Sequence, residues 1–351
     1  SEFDKSLIFT CDAYGEKAST CWFEGNKQNI TQIGQINFPH SIGMFYSTIT
    51  EFLGFRPYLD EWKVMGASAY GNPETYLKQM KKLFNFIDGV NFELNLEYFQ
   101  FYNYDAKNTF TEKLIDLLGE SRNYEDKIQQ RHYDIAAAAQ RIIEEYFLGA
   151  LKFLRKETGL KNICLSGGTV MNSVVNGIVA QSGIFENVFI PFAPDDSGNS
   201  IGAALWVSAQ HGKKIDRKSA ANPFLGKEYS EDEILQQFSL AKLKPEKPKD
   251  IYKTAAALLA EGNIIGWFQG GMEFGQRALG CRSIIADPRN AKMKDKINKA
   301  VKFREAFRPF APAILEECTG EWFDISCPIL SPYMEKVVKI KPRLANKVPS
   351  I

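Results

Sequence analysis

The sequence predicts an α/β protein built in two parts, and three observations predict it. The stretches "KNICLSGGTVMNSVVNGIVAQSG" from Lys161 and "NVFIPFAPDDSGNSIGAALWVSAQHG" from Asn187 each read as strand, polar turn and helix. Two such units in succession favour an α/β layer with sites at the carboxyl ends of its strands. A charged, proline-bearing stretch over 216–247 then interrupts the pattern, and a further helix and strand begin near residue 248. The expected organisation is a first domain over 1–215, a linker over 216–247 with one short helix, and a second domain over 248–351.

Taken in order, "KSLIFTCDAYGEKASTCWFEG" predicts a β-hairpin, with Asp12 at the end of its first strand. Ile42, Phe45, Ile49, Phe52 and Leu53 recur at helical spacing, with Ser41 as cap and Gly54 as stop. "LDEWKVMGASAYGNPETY" is rich in small residues and reads as a loop holding one lysine, Lys63. Residues 75–130 are polar and aromatic without sustained periodicity and read as a loop-rich insertion. From Asp134, Ala139, Ile142, Ile143, Tyr146, Phe147, Ala150 and Leu154 predict a long buried helix, with basic residues in its last turns and Gly159 ending it. In the helix after "SGG", Val170, Val174, Val175 and Ile178 define the expected buried face. Beyond 248, "IYKTAAALLAEG" predicts a helix stopped at Gly262, and "NIIGWF" a strand that delivers the chain into "GGMEFGQRALGCRS".

Composition removes several function classes. Of 351 residues, 43 are Lys or Arg and 42 Asp or Glu, so no net basic charge favours nucleic acid and any anion site must be local. Six cysteines lack CxxC spacing, which predicts reduced thiols in a cytoplasmic protein. No window approaches the length of a membrane span, and "SEFDKSLIFT" lacks a signal-peptide pattern.

Several residues could carry chemistry. The Ser166-Gly167-Gly168-Thr169 turn lies between strand and helix, where free amides suit a phosphate, although a tight strand-helix connection needs the same residues. Asn172 either faces a ligand or makes a local hydrogen bond. Asp195 and Asp196 head a helix as caps, or Asp196 joins Asp12 across the crevice to hold a cation. His40, His132 and His211 are scattered and read as structural. Arg277, Arg282, Lys302, Arg304 and Arg308 lie in stretches that should be largely buried. They form a phosphate pocket, or an ion-pair network with Glu273, Asp287 and Glu305.

Together, "HSIGMFYSTITEFLGF", "EWKVMGASAYG", "LSGGTVMNSVVNG", "PDDSGNSIGAA", "GGMEFGQRALGCRSIIADPRN" and "FREAFRPFAPAILEE" resemble the NodU/CmcH family of O-carbamoyltransferases, in the family's order and across nearly all of the chain. The resemblance implies an ASKHA (actin-like ATPase) domain followed by an α+β YrdC-like domain. The second domain would form carbamoyl adenylate from carbamoyl phosphate and ATP. The first would move the carbamoyl group to a hydroxyl of a sugar-like or natural-product acceptor, assisted by a divalent metal, iron or magnesium. By matching motif, Arg277, Lys302 and Arg308 would bind carbamoyl phosphate, with Arg304 a further candidate. Gly167, Gly168, Asn172 and Lys63 would hold the nucleotide, and Asp12 and Asp196 the metal. Asp12, Asp196 and Arg277 would carry the chemistry.

The expected partner is a small hydroxylated acceptor, or a second copy in a homodimer, with no membrane and no nucleic acid. The alternatives are a nucleotide-binding module without chemistry and, third, a tRNA-modifying carbamoyl-transfer enzyme. The family's histidine metal ligands lie upstream of the Asp12 hairpin, and its sequence continues beyond "KVPSI", so the chain is expected to be a middle portion. Gly271 and Gln276 stand where the family usually has Arg and Pro.

Overall fold

The computed structural model describes residues 1–302, 304–325 and 331–351. They fall into two compact units. The first comprises Ser1–Arg217, Ile325–Ser331 and Glu335–Val338; the second comprises Lys218–Asp324, Pro332–Met334 and Lys339–Ile351.

In the first unit, β1 (Lys5–Cys11), β2 (Ala18–Asn26) and β3 (Asn29–Asn37) form an antiparallel meander. Helix α1 (Ile42–Phe52) follows, with the Ser41 side chain accepting from the Met44 amide as expected. The supposed loop after it is helix α2 (Glu61–Ser68), which carries Lys63. Helical propensity is weak there because Gly66 interrupts it, and packing supplies what propensity lacks.

The stretch read as an insertion is an aromatic layer. Helix α3 (Leu77–Lys81), the hairpin β4 (Phe84–Phe86) and β5 (Phe92–Leu94), and α4 (Glu112–Leu118) each contribute one or two anchors. Phe84 meets Phe45 at 4.8 Å, and Phe110 meets Phe52 at 5.3 Å, both edge-on. Such short elements show no sequence period, yet each fully buried phenylalanine contributes about 2 kcal/mol.

Helix α5 (Gln130–Thr158) is the spine of the unit and ends at Gly159, whose φ of 68° is left-handed. Its Phe147 packs on Phe9 of β1 at 5.7 Å, and its Tyr146 on Phe92 at 5.0 Å. Strand β6 (Asn162–Ser166) then pairs parallel with β1, and β7 (Asn187–Phe189) parallel with β6. The result is a mixed five-stranded sheet of order β3-β2-β1-β6-β7. Between β6 and β7 lies α6 (Ser173–Gln181), and after β7 comes α7 (Asn199–Gln210). Of the expected stripe, Val170 and Val175 are buried while Val174 and Ile178 are only half-buried, and the buried face of α6 is Ser173, Val175, Asn176, Gly177 and Val179. The returning segment Glu335–Val338 meets that face. Val337 N donates to Ser173 O at 2.9 Å, and Asn176 Nδ2 to Glu335 O at 2.8 Å.

Helix α8 (Arg217–Ala220) begins at the last residue of the first unit's main segment and α9 (Glu231–Leu240) follows in the second, so the expected linker holds two helices; Ser230 and Glu233 form the capping box of α9. Helix α10 (Ile251–Ala260) leads to β8 (Ile265–Phe268), which pairs antiparallel with β9 (Arg282–Ile285). Helix α11 (Met293–Ile297) runs into a π-helical turn over Asn298–Lys302, and α12 (Thr319–Trp322) and α13 (Pro342–Ala345) follow. Burial here is sparser than the sequence led us to expect. Met272 is 48% exposed, and Lys302 lies on the surface.

Among the described residues, Cys11, Cys21, Cys164, Cys281 and Cys318 are free thiols; Cys327 lies outside them. No described helix is long and apolar enough to cross a membrane.

Candidate functional site

The carboxyl ends of β1, β6 and β7 carry three loops laced edge to edge. Asp12 leaves β1; its Oδ1 accepts from Ala13 N at 2.7 Å and its Oδ2 from Gly168 N at 3.0 Å. Gly167, just past β6, donates its amide to Pro194 O at 2.6 Å. Both amides that the sequence offered to an anion are thus engaged within the protein. Sterics require the glycines: a Cβ on Gly167, at φ 98°, would lie 2.2 Å from Cys11 O, and one on Gly168 2.8 Å from Asp12 Oδ1. The turn is therefore a close-packed junction that fixes the direction of Asp12.

After β7, a 3-10 turn over Asp196–Gly198 exposes Asp196, whose Oδ1 accepts from Asn199 Nδ2 at 3.4 Å; Asp195 accepts from Ser197 Oγ at 2.6 Å. Asp195 makes no side-chain cap on this turn. Among the described residues, no group of three or more His, Cys, Asp and Glu side chains is arranged to hold a metal. No hydrogen bond among the described residues joins Asp12 to Asp196, and each offers only carboxylate oxygens, a donor type that suits magnesium rather than iron. Two of the three histidines serve elsewhere: His40 Nδ1 accepts from Leu94 N at 3.0 Å, and His132 Nδ1 from Gln129 N at 2.9 Å.

Asn172 is buried and engaged within the protein. Its Oδ1 caps α6 by accepting from Val175 N at 3.2 Å, and its Nδ2 donates to Gln140 Oε1 at 2.8 Å. Gln140 also receives the Tyr46 hydroxyl at 2.9 Å, so a polar relay from α1 through α5 holds the turn that bears Gly168. Sequence reasoning passed over Gln140. The signal was a lone amide amid "AAAAQRII", where a buried polar group demands partners. Lys63 is also buried, paired to Asp60 at 3.2 Å and lying over the rings of Trp62 and Phe55.

In the second unit, the β8–β9 loop is built around Glu273. Its Oε1 accepts from the amides of Leu279 at 2.8 Å, Cys281 at 2.7 Å and Arg282 at 3.2 Å. Burial alone would raise its pKa; these amides outweigh that and hold the carboxyl below its ordinary value. Arg282 fastens the base of the loop to the carbonyls of Gln269 and Gly270 and lies 3.6 Å over the Phe268 ring. It is structural.

Arg277, on the crown of the same loop, differs. It is half-buried, has no protein partner among the described residues, and burial alone pulls its pKa down. The expected carboxylates are spent elsewhere: Asp287 on Arg289, and Glu305 on Arg308 at 3.9 Å. Arg304 and Arg308 are brought together by Asn298, which accepts from Arg304 Nε at 2.6 Å and donates to Arg308 O at 3.2 Å. Lys302 is exposed and is not drawn into this arrangement.

The first unit is thus a mixed α/β sheet with a laced strand-end site, and the second presents on its β8–β9 loop a half-buried guanidinium that has no partner among the described residues. The chain belongs to the carbamoyltransferase family: residues 1–205 match the carbamoyltransferase N-terminus model and residues 256–351 the C-terminus model. It is 38% identical over 98% of its length to the uncharacterized protein sll1178 of Synechocystis sp., covering 57% of that protein. It is 34% identical over its whole length to nodulation protein NolO of Bradyrhizobium diazoefficiens, covering 62% of it. With nodulation protein NolNO of Sinorhizobium fredii it shares 32% identity over 99% of its length and 50% of that protein. The chain thus spans between half and two thirds of these relatives.

Proposed function

We propose that the chain carries the carbamoyl-handling core of an ATP-dependent O-carbamoyltransferase, with an ASKHA-type first unit and a YrdC-like second unit. The meander-then-parallel order β3-β2-β1-β6-β7 supports the first assignment. The observation that supports the function is Arg277: a half-buried guanidinium without a partner among the described residues is costly unless an anion completes it. Its fork suits a phosphate oxygen pair, and the Glu273-closed loop holds it in place.

The reaction balances in three steps. Water cleaves carbamoyl phosphate to carbamate and phosphate. A carbamate oxygen attacks the α-phosphorus of ATP, releasing pyrophosphate and leaving carbamoyl adenylate. The acceptor hydroxyl oxygen then attacks the carbamoyl carbon, AMP departs, and the hydroxyl proton is lost.

In the first unit, Asp12 is aimed by two amide hydrogen bonds and keeps lone pairs free, so it takes that proton. Asp12 and Asp196 would also hold a hydrated magnesium ion, whose contribution is to polarise oxygen and offset developing charge.

Pyrophosphate release from ATP, with and without carbamoyl phosphate, tests the reading. Release that depends on carbamoyl phosphate and falls about 100-fold in Arg277→Ala is expected, since one charged hydrogen-bonding pair contributes about 1.5–3 kcal/mol. Release indifferent to carbamoyl phosphate or to Arg277 overturns it.

A further inference from the structure

Behind the Asp12 junction the first unit encloses three hydroxyls and a thiol that the carbamoyl chemistry does not use. Cys11 ends β1 beside Asp12 and pairs in register with Thr20 of β2. They are 0% and 1% exposed, and Thr20 Oγ1 donates to Cys11 Sγ at 3.6 Å. Side chains alternate across a strand, so Cys11 shares the face of Phe9, which packs on Phe147 of α5. The neighbouring Tyr146 is 4% exposed, and its ring meets that of Phe147 at 5.9 Å. The last member, Thr169, lies in the turn over Gly168–Met171.

Two of these groups lack what burial demands. The Tyr146 and Thr169 hydroxyl oxygens are buried and have no hydrogen-bond partner among the described residues. Such groups are costly, and proteins satisfy them with a protein partner or with ordered water. Both hydroxyls converge on the Cys11–Thr20 pair. Burial pushes the Cys11 thiol up to about 12, while the Thr20 and Thr169 hydroxyls beside it oppose the rise. Burial also lifts the Tyr146 phenol well above its ordinary value; Cys11 adds to this and the Thr20 hydroxyl opposes it. Thiol and phenol therefore stay protonated at neutral pH, and the four converging groups offer no charge to a metal cation or a phosphate. A buried water, which makes about three hydrogen bonds, matches them.

We infer that Tyr146, Thr169, Thr20 and Cys11 hold one internal water, and that Tyr146 and Thr169 act through it as positioning residues for the turn that aims Asp12. Thr169 follows Gly168, whose amide donates to Asp12 Oδ2 at 3.0 Å, so a tether on Thr169 restrains that amide. The far end of the tether is α5, the spine of the unit. The water site stands on the fold alone; its bearing on catalysis rests on the role given to Asp12 above.

Tyr146→Phe and Thr169→Val each remove one hydroxyl at nearly constant shape, and urea unfolding of the full chain decides by sign. With the water in place, each lowers the folding equilibrium constant about 5-fold, as the loss of one net hydrogen bond does. The double variant should lose about 5- to 10-fold rather than the roughly 25-fold of independent sites, because the two hydroxyls share one bridge. Hydrogen exchange reads the positioning role. The Gly168 amide should exchange at least about tenfold faster in either single variant, beyond the about 5-fold that a global loss passes to the amides of α5.

Single variants as stable as the native chain, or more so, would show orphan hydroxyls in a dry pocket and overturn the site. Losses that simply add would assign separate direct bonds, Tyr146 to Thr20 and Thr169 to Cys11, and also overturn it. Coupled losses with Gly168 exchanging no faster than α5 would overturn the positioning role. Neither readout uses ATP or carbamoyl phosphate. Failure here thus leaves the carbamoyl reading standing, and failure of pyrophosphate release leaves the water site standing.

Discussion

Arg277 and Glu273 sit four residues apart in one loop, and their roles divide as cation and clasp. Arg277→Lys keeps the charge but loses the fork, so carbamoyl-phosphate-dependent pyrophosphate release should fall about 10-fold, against about 100-fold for alanine; a lysine variant as impaired as alanine would show that charge alone contributes nothing. Glu273→Gln tests the clasp through pH. The native carboxyl is held below its ordinary value of 4.5, so its stabilisation is complete above that pH and is lost as pH falls through the lower native value. The thermal midpoint of the native chain should therefore drop on that acid limb, and the glutamine variant should lack that part of the drop. The sequence pointed to Arg277 because a guanidinium among glycines is conspicuous. It did not reveal Glu273 as a clasp, since three of its partners are backbone amides, which no residue letter encodes. Gly167 and Gly168 stand out in the sequence for their amides; in the structure both amides bond within the protein, and a Cβ on Gly167 or Gly168 would collide with Cys11 O or with Asp12 Oδ1.

Among the elements, the long helix α5 was legible from its apolar period, and the hairpin of β1 and β2 from its strand-turn-strand pattern. Helix α2 and the aromatic layer were not, because tertiary packing rather than local propensity forms them. The start of α5 was placed late because its cap is unusual: Gln129 and His132 cap each other. Burial, with Arg131 and Arg122 nearby, lowers the His132 pKa from 6.5 to about 4. Its stabilisation is therefore full above pH 6.5 and declines as pH falls toward 4, where the unfolded chain binds the extra proton. Urea midpoints measured across that window should decline in the native chain and flatten in His132→Asn, whose amide oxygen can still accept from Gln129. Helix α6 gives a steric test. A Cβ on Gly177 would lie 1.8 Å from Val337 O, so Gly177→Ala should cost about 1–3 kcal/mol in urea unfolding; an unchanged midpoint would mean that the returning segment is displaced at little cost.

At the scale of the whole molecule, the change of character after residue 216 was visible in the sequence as charge and proline, but the discontinuity of both units was not. The contribution of Glu335–Val338 to the first unit is made largely by backbone atoms: Val337 N, Glu335 O and Val337 O each meet α6. Two of these are hydrogen bonds at about 1 kcal/mol each, so a chain ending at Asp324 should lose about 2 kcal/mol from the first unit. That corresponds to a fall of about 4–8 °C in its thermal midpoint. An identical midpoint would show that the segment contributes nothing to it.

The same return of chain imposes an order on biosynthesis. A ribosome adding about 5–20 residues per second completes Arg217 on the order of ten seconds before it completes Glu335. Through that interval the nascent first unit has its sheet and α5 but lacks the strip that closes α6, leaving the Asn176 amide without Glu335 and the face at Gly177 bare. The newborn protein therefore passes through a stage in which its first unit is assembled but not sealed, and that stage lasts until Glu335–Val338 has left the exit tunnel.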